Sequence, residues 1–318
     1  MLSRHAEDLF WIGRYLERAE DTARLLDVTQ QSALETGGGR GTEEIWAELL
    51  EVLYLDDVFD DTPSPDAVHH FLVADPSNTG SVISIIGRAR ENTRAAREWV
   101  SAEYWEGING LYLELRGSDL DRELSSTPYD AMRRVKTGCR ALGGIADSSL
   151  PRSEGYHFYI LGAMIERALI TIRVVSVWQR RLGGFSGPAA FPEWVKLLKS
   201  LSGYEAYLRE FRASMQPGRV LEFLLQQQRF PRSLFYCLTL ARQQLEAVKG
   251  EEHGRTSIRA VGRLRAELEF ADPADLPPDE LSDFLTGLQE KVLDIPVAVQ
   301  AEYFRPGGQA ALHSYEAF

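Results

Sequence analysis

Two Glu-Arg dipeptides place paired charges in segments that the sequence predicts to be buried helix. Glu17-Arg18 lies near the start of the chain, and Glu166-Arg167 lies in Phe158–Trp178, the most apolar segment. Burying a charge is costly unless it is paired, so these side chains need partners or a polar cavity. The simplest arrangement is reciprocal ion pairing, in which Glu17 pairs with Arg167 and Glu166 pairs with Arg18. A carboxylate can accept two hydrogen bonds from a planar guanidinium.

Two interpretations of these charges stay open. The dipeptides could fix the register of two packed helices, or they could form a ligand-binding or catalytic centre between the two Glu-Arg helices. If Glu17 or Glu166 were a general base, its pKa would have to be raised, whereas neighbouring arginines lower it. The excess of cations favours a centre for a phosphate or carboxylate. The candidate ligand-binding residues here are Arg14, Arg18, Arg24, Arg167 and Arg173.

Further candidate ligand-binding residues lie in three other clusters. Arg90, Asn92 and Arg94 belong to one arginine-rich helical segment, which could equally be a solvated face. Asn109 shares a predicted helical face with aromatic residues, which is also typical of core packing around one hydrogen-bonded amide. Arg232 stands at a predicted helix start, where backbone N–H groups can hold an anion and where a following serine can serve as the cap.

Helical periodicity runs through most of the chain. In Arg4–Ser32 apolar residues recur at spacings of three and four, opposite a charged face. The same pattern predicts further helices, including Val82–Val100, Asp119–Ala146, Tyr156–Arg181 and Glu280–Tyr303. No stretch alternates with the period of two that a half-buried strand requires. The sequence therefore predicts an all-α protein, a single multi-helix bundle in one domain over residues 1–318.

The two halves of the chain resemble each other. Asp8–Val28 aligns with His157–Val177 at an offset of 149, with seven of 21 positions identical, including the Glu-Arg dipeptides. Two later matches follow in the same order: Trp46 with Trp194, and a Ser-x7-Ala-Arg pattern at Ser81–Arg90 and Ser233–Arg242. An internal duplication at nearly constant offset is typical of repeated structural units. We therefore expect two copies, residues 1–150 and 151–318, related by a pseudo-twofold axis within one core.

Composition excludes several classes of function. The net charge is -12 and the isoelectric point is near 5.1, so a global basic footprint for nucleic acid is absent from the sequence. Charged residues inside Phe158–Trp178 argue against a membrane span. Cys139 and Cys237 are too few for a disulfide scaffold or a four-thiolate zinc site, and they fit a cytoplasmic setting.

The sequence also lacks the motifs of the common cofactor and metal enzymes. It contains no GxxxxGK[ST] loop, no GxGxxG, no GxSxG and no HExxH. Glu154 and His157 form a lone ExxH, whereas a carboxylate di-metal bundle needs two such motifs and two further carboxylates. We therefore expect neither a metal site nor a cofactor.

The opening residues, MLSRHAEDLFWIGRYLERAE, resemble the bacterial Alpha-E family, a helical domain named for its Glu-Arg motif. Ala89-Arg90-Glu91-Asn92, Trp105-x3-Asn109 and Pro231-Arg232-Ser233 are similar to later motifs of that family. The similarity extends from Met1 to about Tyr315. His5 departs from the pattern, which has a small hydroxyl residue at this place.

The resemblance implies genomic association with circularly permuted ATP-grasp proteins and with transglutaminase-like proteins. It thereby implies an accessory or partner protein of an ATP-grasp peptide or amide ligase system, with a peptide or an anionic small molecule as the ligand. Acylphosphate chemistry needs cations around the phosphoryl oxygens, and guanidinium groups supply them. The alternatives are an enzyme in its own right, with Glu17 or Glu166 as the base, and a purely structural scaffold with buried ion pairs.

Overall fold

The computed structural model describes residues 1–35, 41–182, 191–212, 215–248 and 255–304 of the chain. In these ranges the protein consists of helices joined by turns and contains no strand. The all-α prediction is therefore confirmed. Tyr315, near which the family resemblance ends, lies outside these ranges.

The chain divides into two compact units. The first contains Met1–Ala163 and Phe304, and the second contains Met164–Tyr303. The helices of the first unit are α1 (Ser3–Glu35), α2 (Gly41–Leu53), α3 (Pro65–His69), α4 (Val82–Ala95), α5 (Ala102–Gly117), α6 (Leu120–Ser126) and α7 (Pro128–Ser149). A π-helical turn, His70–Ala74, follows α3, and a short 3-10 helix, Arg97–Trp99, follows α4.

The boundary between the units falls inside α8 (Glu154–Leu182), whose first turns belong to the first unit. The second unit continues with α9 (Phe191–Ser200), α10 (Tyr204–Phe211), α11 (Pro217–Gln226), α12 (Leu234–Val248), α13 (Arg255–Glu269) and α14 (Pro278–Val299). A π-helical turn, Gln300–Phe304, follows α14. Within the described part of the chain, no helix has both the length and the apolar character that a membrane crossing requires.

Helix α1 is the centre of the first unit. It packs against both α4 and α7, and α5 packs against the same two helices. Because neighbours cover it on several sides, α1 is buried almost continuously from Leu9 to Leu26, including charged residues at its middle. The buried surface of α1 is therefore wider than the apolar face that the sequence predicts. Charged side chains at the middle of the predicted polar face also lie inside the unit.

The predicted helix over Asp119–Ala146 is in fact two helices. Helix α6 ends at Ser126 and α7 begins at Pro128, with Thr127 between them at φ -140° and ψ 57°. The pyrrolidine ring of a proline disfavours the α conformation in the preceding residue, and proline itself suits the first position of a helix. Pro128 therefore interrupts the helical pattern and starts a new helix.

Helices α2 and α9 end with the same hydrogen-bond motif. The N–H of Leu55 donates to the carbonyl of Leu50 at 2.9 Å, and the N–H of Gly203 donates to the carbonyl of Leu198 at 2.7 Å. In each case the residue before the donor has a left-handed backbone, with φ of 58° and 52°: Tyr54 and Ser202. This six-to-one bond with a left-handed residue is the Schellman termination. The two sites lie 148 residues apart.

Candidate functional site

Helices α1 and α8 approach closely at two glycines of the first unit. A Cβ atom added at Gly13 would overlap the carbonyl oxygen of Tyr159, and one added at Gly162 would overlap the carbonyl oxygen of Phe10. The next nearest atoms are also backbone: the nitrogen of Ala163 at 3.0 Å from the first position and that of Arg14 at 3.3 Å from the second. Only glycine allows this approach, and it brings the N-terminal part of α8 onto α1.

Four residues beyond Gly13, α1 carries a buried row of charges. Glu17, Glu20, Asp21 and Arg24 are all buried. Arg24 donates from Nη1 to Oε1 of Glu20 at 3.0 Å and forms an ion pair with Asp21. The two acidic residues are thus the partners of Arg24 on its own helix, at the spacings of four and three at which helical side chains meet.

Helix α7 adds two cations to this row. Arg140 lies with both Nε and Nη2 at 3.0 Å from Oε1 of Glu20, and Lys136 contacts a carboxylate oxygen of Asp27 at 2.6 Å. Arg140 is 57% exposed at its side chain, whereas Glu20 is buried. The network therefore runs from the interior of the unit, at Arg24, to its surface, at Arg140.

The acidic charges of α1 also affect two neutral groups beside them. Burial raises the pKa of the Cys139 thiol, and the charges of Glu20 and Glu17 raise it further. Burial likewise raises the pKa of Tyr159 on α8, with a further contribution from Glu17. Because both groups stay protonated at neutral pH, neither is an activated nucleophile or base.

The remaining predicted arginines of α1 flank Glu17 in sequence and differ in burial. Arg14 is buried, and its guanidinium carbon lies 4.9 Å from the ring centre of Trp11 and 5.9 Å from that of Phe10. Arg18 is half-buried. Arg14 therefore packs against aromatic faces as a cation, whereas Arg18 retains contact with solvent.

The second Glu-Arg dipeptide lies in the second unit and follows the same burial pattern. Glu166 and Arg173 are buried, and Arg167 is half-buried. Arg167 donates from Nη1 to the carbonyl of Pro231 at 3.3 Å. The Thr171 hydroxyl donates to the carbonyl of Arg232 at 2.9 Å. The structure therefore brings Arg167 and Arg232 into one neighbourhood.

The residues around Arg232 form a capped helix start, as predicted. The hydroxyl of Ser233 accepts a hydrogen bond from the N–H of Tyr236 at 3.1 Å and donates to the carbonyl of Gln227. Arg232 itself is buried. Side-chain capping by Ser233 satisfies one of the orphan N–H groups of α12.

Arg90 and Asn109, predicted separately, form a direct contact in the first unit. Arg90 donates from Nε to the side-chain oxygen of Asn109 at 2.7 Å and from Nη1 to Glu91 at 2.6 Å. Arg94 contacts the same carboxylate at 2.8 Å. Asn92 is half-buried on α4, and no hydrogen bond of its side chain joins this network within the described part of the chain.

Sequence analysis missed the residues that surround the predicted arginines. Glu20 could have been found, because it precedes Arg24 by four positions on the same helix. Arg140 and Lys136 could not, because their place beside α1 depends on tertiary packing of α7. Over the ranges that the structure describes, no three His, Cys, Asp or Glu side chains are grouped as a metal site would require.

Comparison with known proteins places these motifs in a family. Residues 1–304 match the Alpha-E family, described as a predicted alpha-helical domain with a conserved ER motif. Uncharacterised proteins of Mycobacterium bovis and of two Mycobacterium tuberculosis strains are 25% identical over 97% of this chain. The chain spans only 38% of the length of these relatives. No solved structure matches.

The family description agrees with two observations, the all-helical fold and the presence of a Glu-Arg dipeptide in α1 and another in α8. The match covers the whole described part of the chain, from the first helix to the turn that follows α14. The chain belongs to the Alpha-E family.

Proposed function

We propose that this protein is an accessory or partner protein of an ATP-grasp peptide or amide ligase system, in which it binds a carboxylate or phosphate group of a peptide or small molecule. The accessory role is supported by the greater length of the relatives. Because the chain corresponds to 38% of them, the Alpha-E domain there is one part of a longer polypeptide. A domain that is joined to further segments in its relatives is more consistent with a partner than with a self-sufficient enzyme.

The burial pattern of the Glu-Arg dipeptides supports an anionic ligand. Glu17 and Glu166 are 6% and 7% exposed, whereas Arg18 and Arg167 are half-buried. Each dipeptide therefore joins a buried carboxylate to an arginine whose side chain keeps partial contact with solvent. A guanidinium in that position can offer paired N–H groups to a carboxylate or phosphate without moving a helix.

The same helices support a duplicated architecture, which we include in the proposal. Gly13 and Gly162 occupy equivalent positions at the offset of 149, and each faces the carbonyl three residues before the other. This reciprocity is what a local twofold relation produces. The matched Schellman terminations of α2 and α9 and the burial of both Trp46 and Trp194 further support two copies of one helical unit.

The ion pairs around Arg24 favour the alternative that the charges of α1 are a structural scaffold. Arg24 is engaged by Glu20 and Asp21, and Glu20 also receives Arg140, so this part of α1 is a network of ion pairs. Such a network can fix the register of packed helices. We therefore assign Arg24 to the scaffold and Arg18 and Arg167 to the ligand.

The partner claim is tested by co-expression with a circularly permuted ATP-grasp protein, the kind of partner that the family resemblance implies. A complex that elutes as one species in gel filtration is the expected result. Two separate species at micromolar concentration would overturn the partner claim. A matched run with a transglutaminase-like protein, the other kind of partner that the resemblance implies, shows whether binding is specific for the ligase.

The ligand claim is tested by calorimetry of the purified chain with inorganic phosphate and with succinate. Arg18→Ala and Arg167→Ala should each weaken binding of at least one of these anions by about tenfold, which corresponds to about 1.4 kcal/mol. Arg122→Ala and Arg259→Ala are the matched controls, because both arginines are exposed on other helices, one in each unit. Equal effects of all four substitutions would mean that only general charge matters.

A further inference from the structure

Four arginines surround two aromatic rings on the surface of the first unit. Trp105 and Tyr112 stand seven residues apart on α5, on the face that Asn109 shares. The guanidinium carbon of Arg90 lies 5.6 Å from the ring centre of Trp105 and 5.1 Å from that of Tyr112. Arg97 lies 5.9 Å from Trp105, and Arg116 donates to the hydroxyl of Tyr112 at 3.4 Å. With Arg94, these residues form what we call the arginine–aromatic surface.

Arg90 is fixed in place but is not saturated. Its bonds to Asn109 and Glu91 use two of the five N–H donors of a guanidinium. Its side chain is 24% exposed, so part of Arg90 is in contact with solvent while its hydrogen bonds hold it in place. The aromatic rings hold the guanidinium flat through cation–π contact, which lowers the entropy that it loses on binding a further group.

The charge of this surface is opposite to that of the protein. Glu91 is the carboxylate inside it, and it is shared by Arg90 and Arg94. The nearby acidic groups Glu98 and Glu114 are oriented elsewhere, towards His5 at 3.4 Å and Arg134 at 3.7 Å. Four arginines against Glu91 and Glu106, the exposed carboxylate that follows Trp105 on α5, leave a net positive patch on a chain whose net charge is -12. Such a patch attracts clustered carboxylates.

Within its described residues, the helix pair α12 and α13 of the second unit packs without an arginine–aromatic cluster like that of α4 and α5. At the offset of 152, Arg242 of α12 corresponds to Arg90, and it pairs with Glu246 on its own helix at 3.0 Å. The positions of Asn109 and Tyr112 correspond to Val261 and Leu264 of α13, which are buried in the core. α12 and α13 pack together as α4 and α5 do, with apolar residues alone at these two places.

We propose that the arginine–aromatic surface is the docking site for an acidic segment of a partner protein, with Asp or Glu side chains bound to Arg90, Arg94, Arg97 and Arg116. Arginine, tryptophan and tyrosine are the residues that concentrate binding energy at protein interfaces. A polypeptide fits better than a small ligand, since the arginines lie on α4, on the 3-10 helix and on α5 and are exposed or half-buried rather than enclosed in a pocket. The proposal rests on the proposed function only in requiring a protein partner.

The experiment uses the full chain and a fluorescein-labelled octaglutamate peptide at low salt, followed by anisotropy. Saturable binding is expected, and the double variant Arg97→Ala with Arg116→Ala should weaken it by about tenfold. Both arginines are exposed and bond little else, so this variant stays folded, which circular dichroism checks. Arg122→Ala with Arg133→Ala removes the same charge from other exposed positions of the first unit and should leave binding within about twofold.

Four results would overturn the proposal. The first two are the absence of saturable binding and an equal loss in the control variant. The third is tighter binding of a single-stranded RNA of equal charge, which would identify a nucleic-acid surface. The fourth is competition by millimolar citrate at constant ionic strength, which would indicate a site for a free carboxylate rather than for a polypeptide. Loss of ligase complex formation with intact octaglutamate binding would contradict the proposed function and leave this surface standing.

Discussion

Gly13 and Gly162 allow α1 and α8 to contact each other backbone to backbone, and each glycine faces a carbonyl of the other helix. The atoms in the way of a side chain at either place belong to the main chain, which cannot rotate aside as a flexible side chain can. A Cβ methyl group at Gly13 would force α1 away from α8. The position of Glu17, one turn beyond Gly13, therefore depends on glycine at this place.

We predict that Gly13→Ala destabilises the protein by about 2–3 kcal/mol, at the upper end of the cost of overpacking. Chemical denaturation in urea measures this change. Gly143→Ala is the matched control, since the space beside Gly143 on α7 is open. That control should stabilise the protein by about 0.5–1 kcal/mol, because alanine is the better helix former. Equal effects of the two substitutions would contradict the backbone contact.

The ion-pair network around Glu20 gives a graded prediction. Glu20→Gln removes the charge that Arg24 and Arg140 share, while Asp21 stays paired with Arg24, and it should cost about 1.5–3 kcal/mol because a buried hydrogen bond between charged groups is weakened. Arg140→Ala removes an exposed partner and should cost at most about 1 kcal/mol. Urea denaturation of both variants measures the difference, and a larger loss for Arg140→Ala would show that the network is held from its surface end.

The carboxylate of Glu302 makes stability depend on acid pH. It accepts hydrogen bonds from the N–H groups of Thr256 and Ser257 at 2.6 and 3.0 Å at the start of α13. Burial raises the pKa of Glu302, but these bonds and that from the Ser257 hydroxyl outweigh burial, so the pKa lies below its ordinary value of 4.5.

Because this pKa is lowered in the folded state, its contribution is present above about pH 4.5 and is lost as the pH falls below that value. We expect Glu302→Gln to cost about 1 kcal/mol at pH 7 and progressively less below pH 4.5. Free energies of unfolding of both proteins across this range measure the difference. A gap between them that stays constant with pH would refute the assignment.

The hydroxyl of Thr171 joins α8 to the loop that contains Arg232. Thr171→Val keeps the shape of the side chain but leaves the carbonyl of Arg232 without this donor, so we expect a loss of about 1–2 kcal/mol. Thr171→Ser keeps the hydroxyl and should restore most of the stability. Thermal unfolding of the three proteins compares them, and a larger loss for Thr171→Ser than for Thr171→Val would show that packing of the methyl group, rather than the hydrogen bond, holds the loop.

The sequence predicted the fold class and most helices because apolar spacing is a local property. It did not separate α6 from α7, since the charged and apolar pattern continues across Pro128 although the backbone before a proline cannot. For the candidate site, sequence analysis found Arg90 and Asn109 but not their contact, which depends on α4 packing on α5. It counted Arg24 among the ligand-binding cations, whereas Glu20 and Asp21 engage it from the same helix.

The rate of ADP release by an ATP-grasp protein of the kind proposed as the partner, measured with and without this chain, tests the accessory role most directly. We expect the chain to raise that rate in the presence of the peptide or amine substrate, and Arg18→Ala or Arg167→Ala to lose most of the increase while Arg122→Ala retains it. A rate that the chain does not change, or an increase that survives both arginine substitutions, would contradict the account.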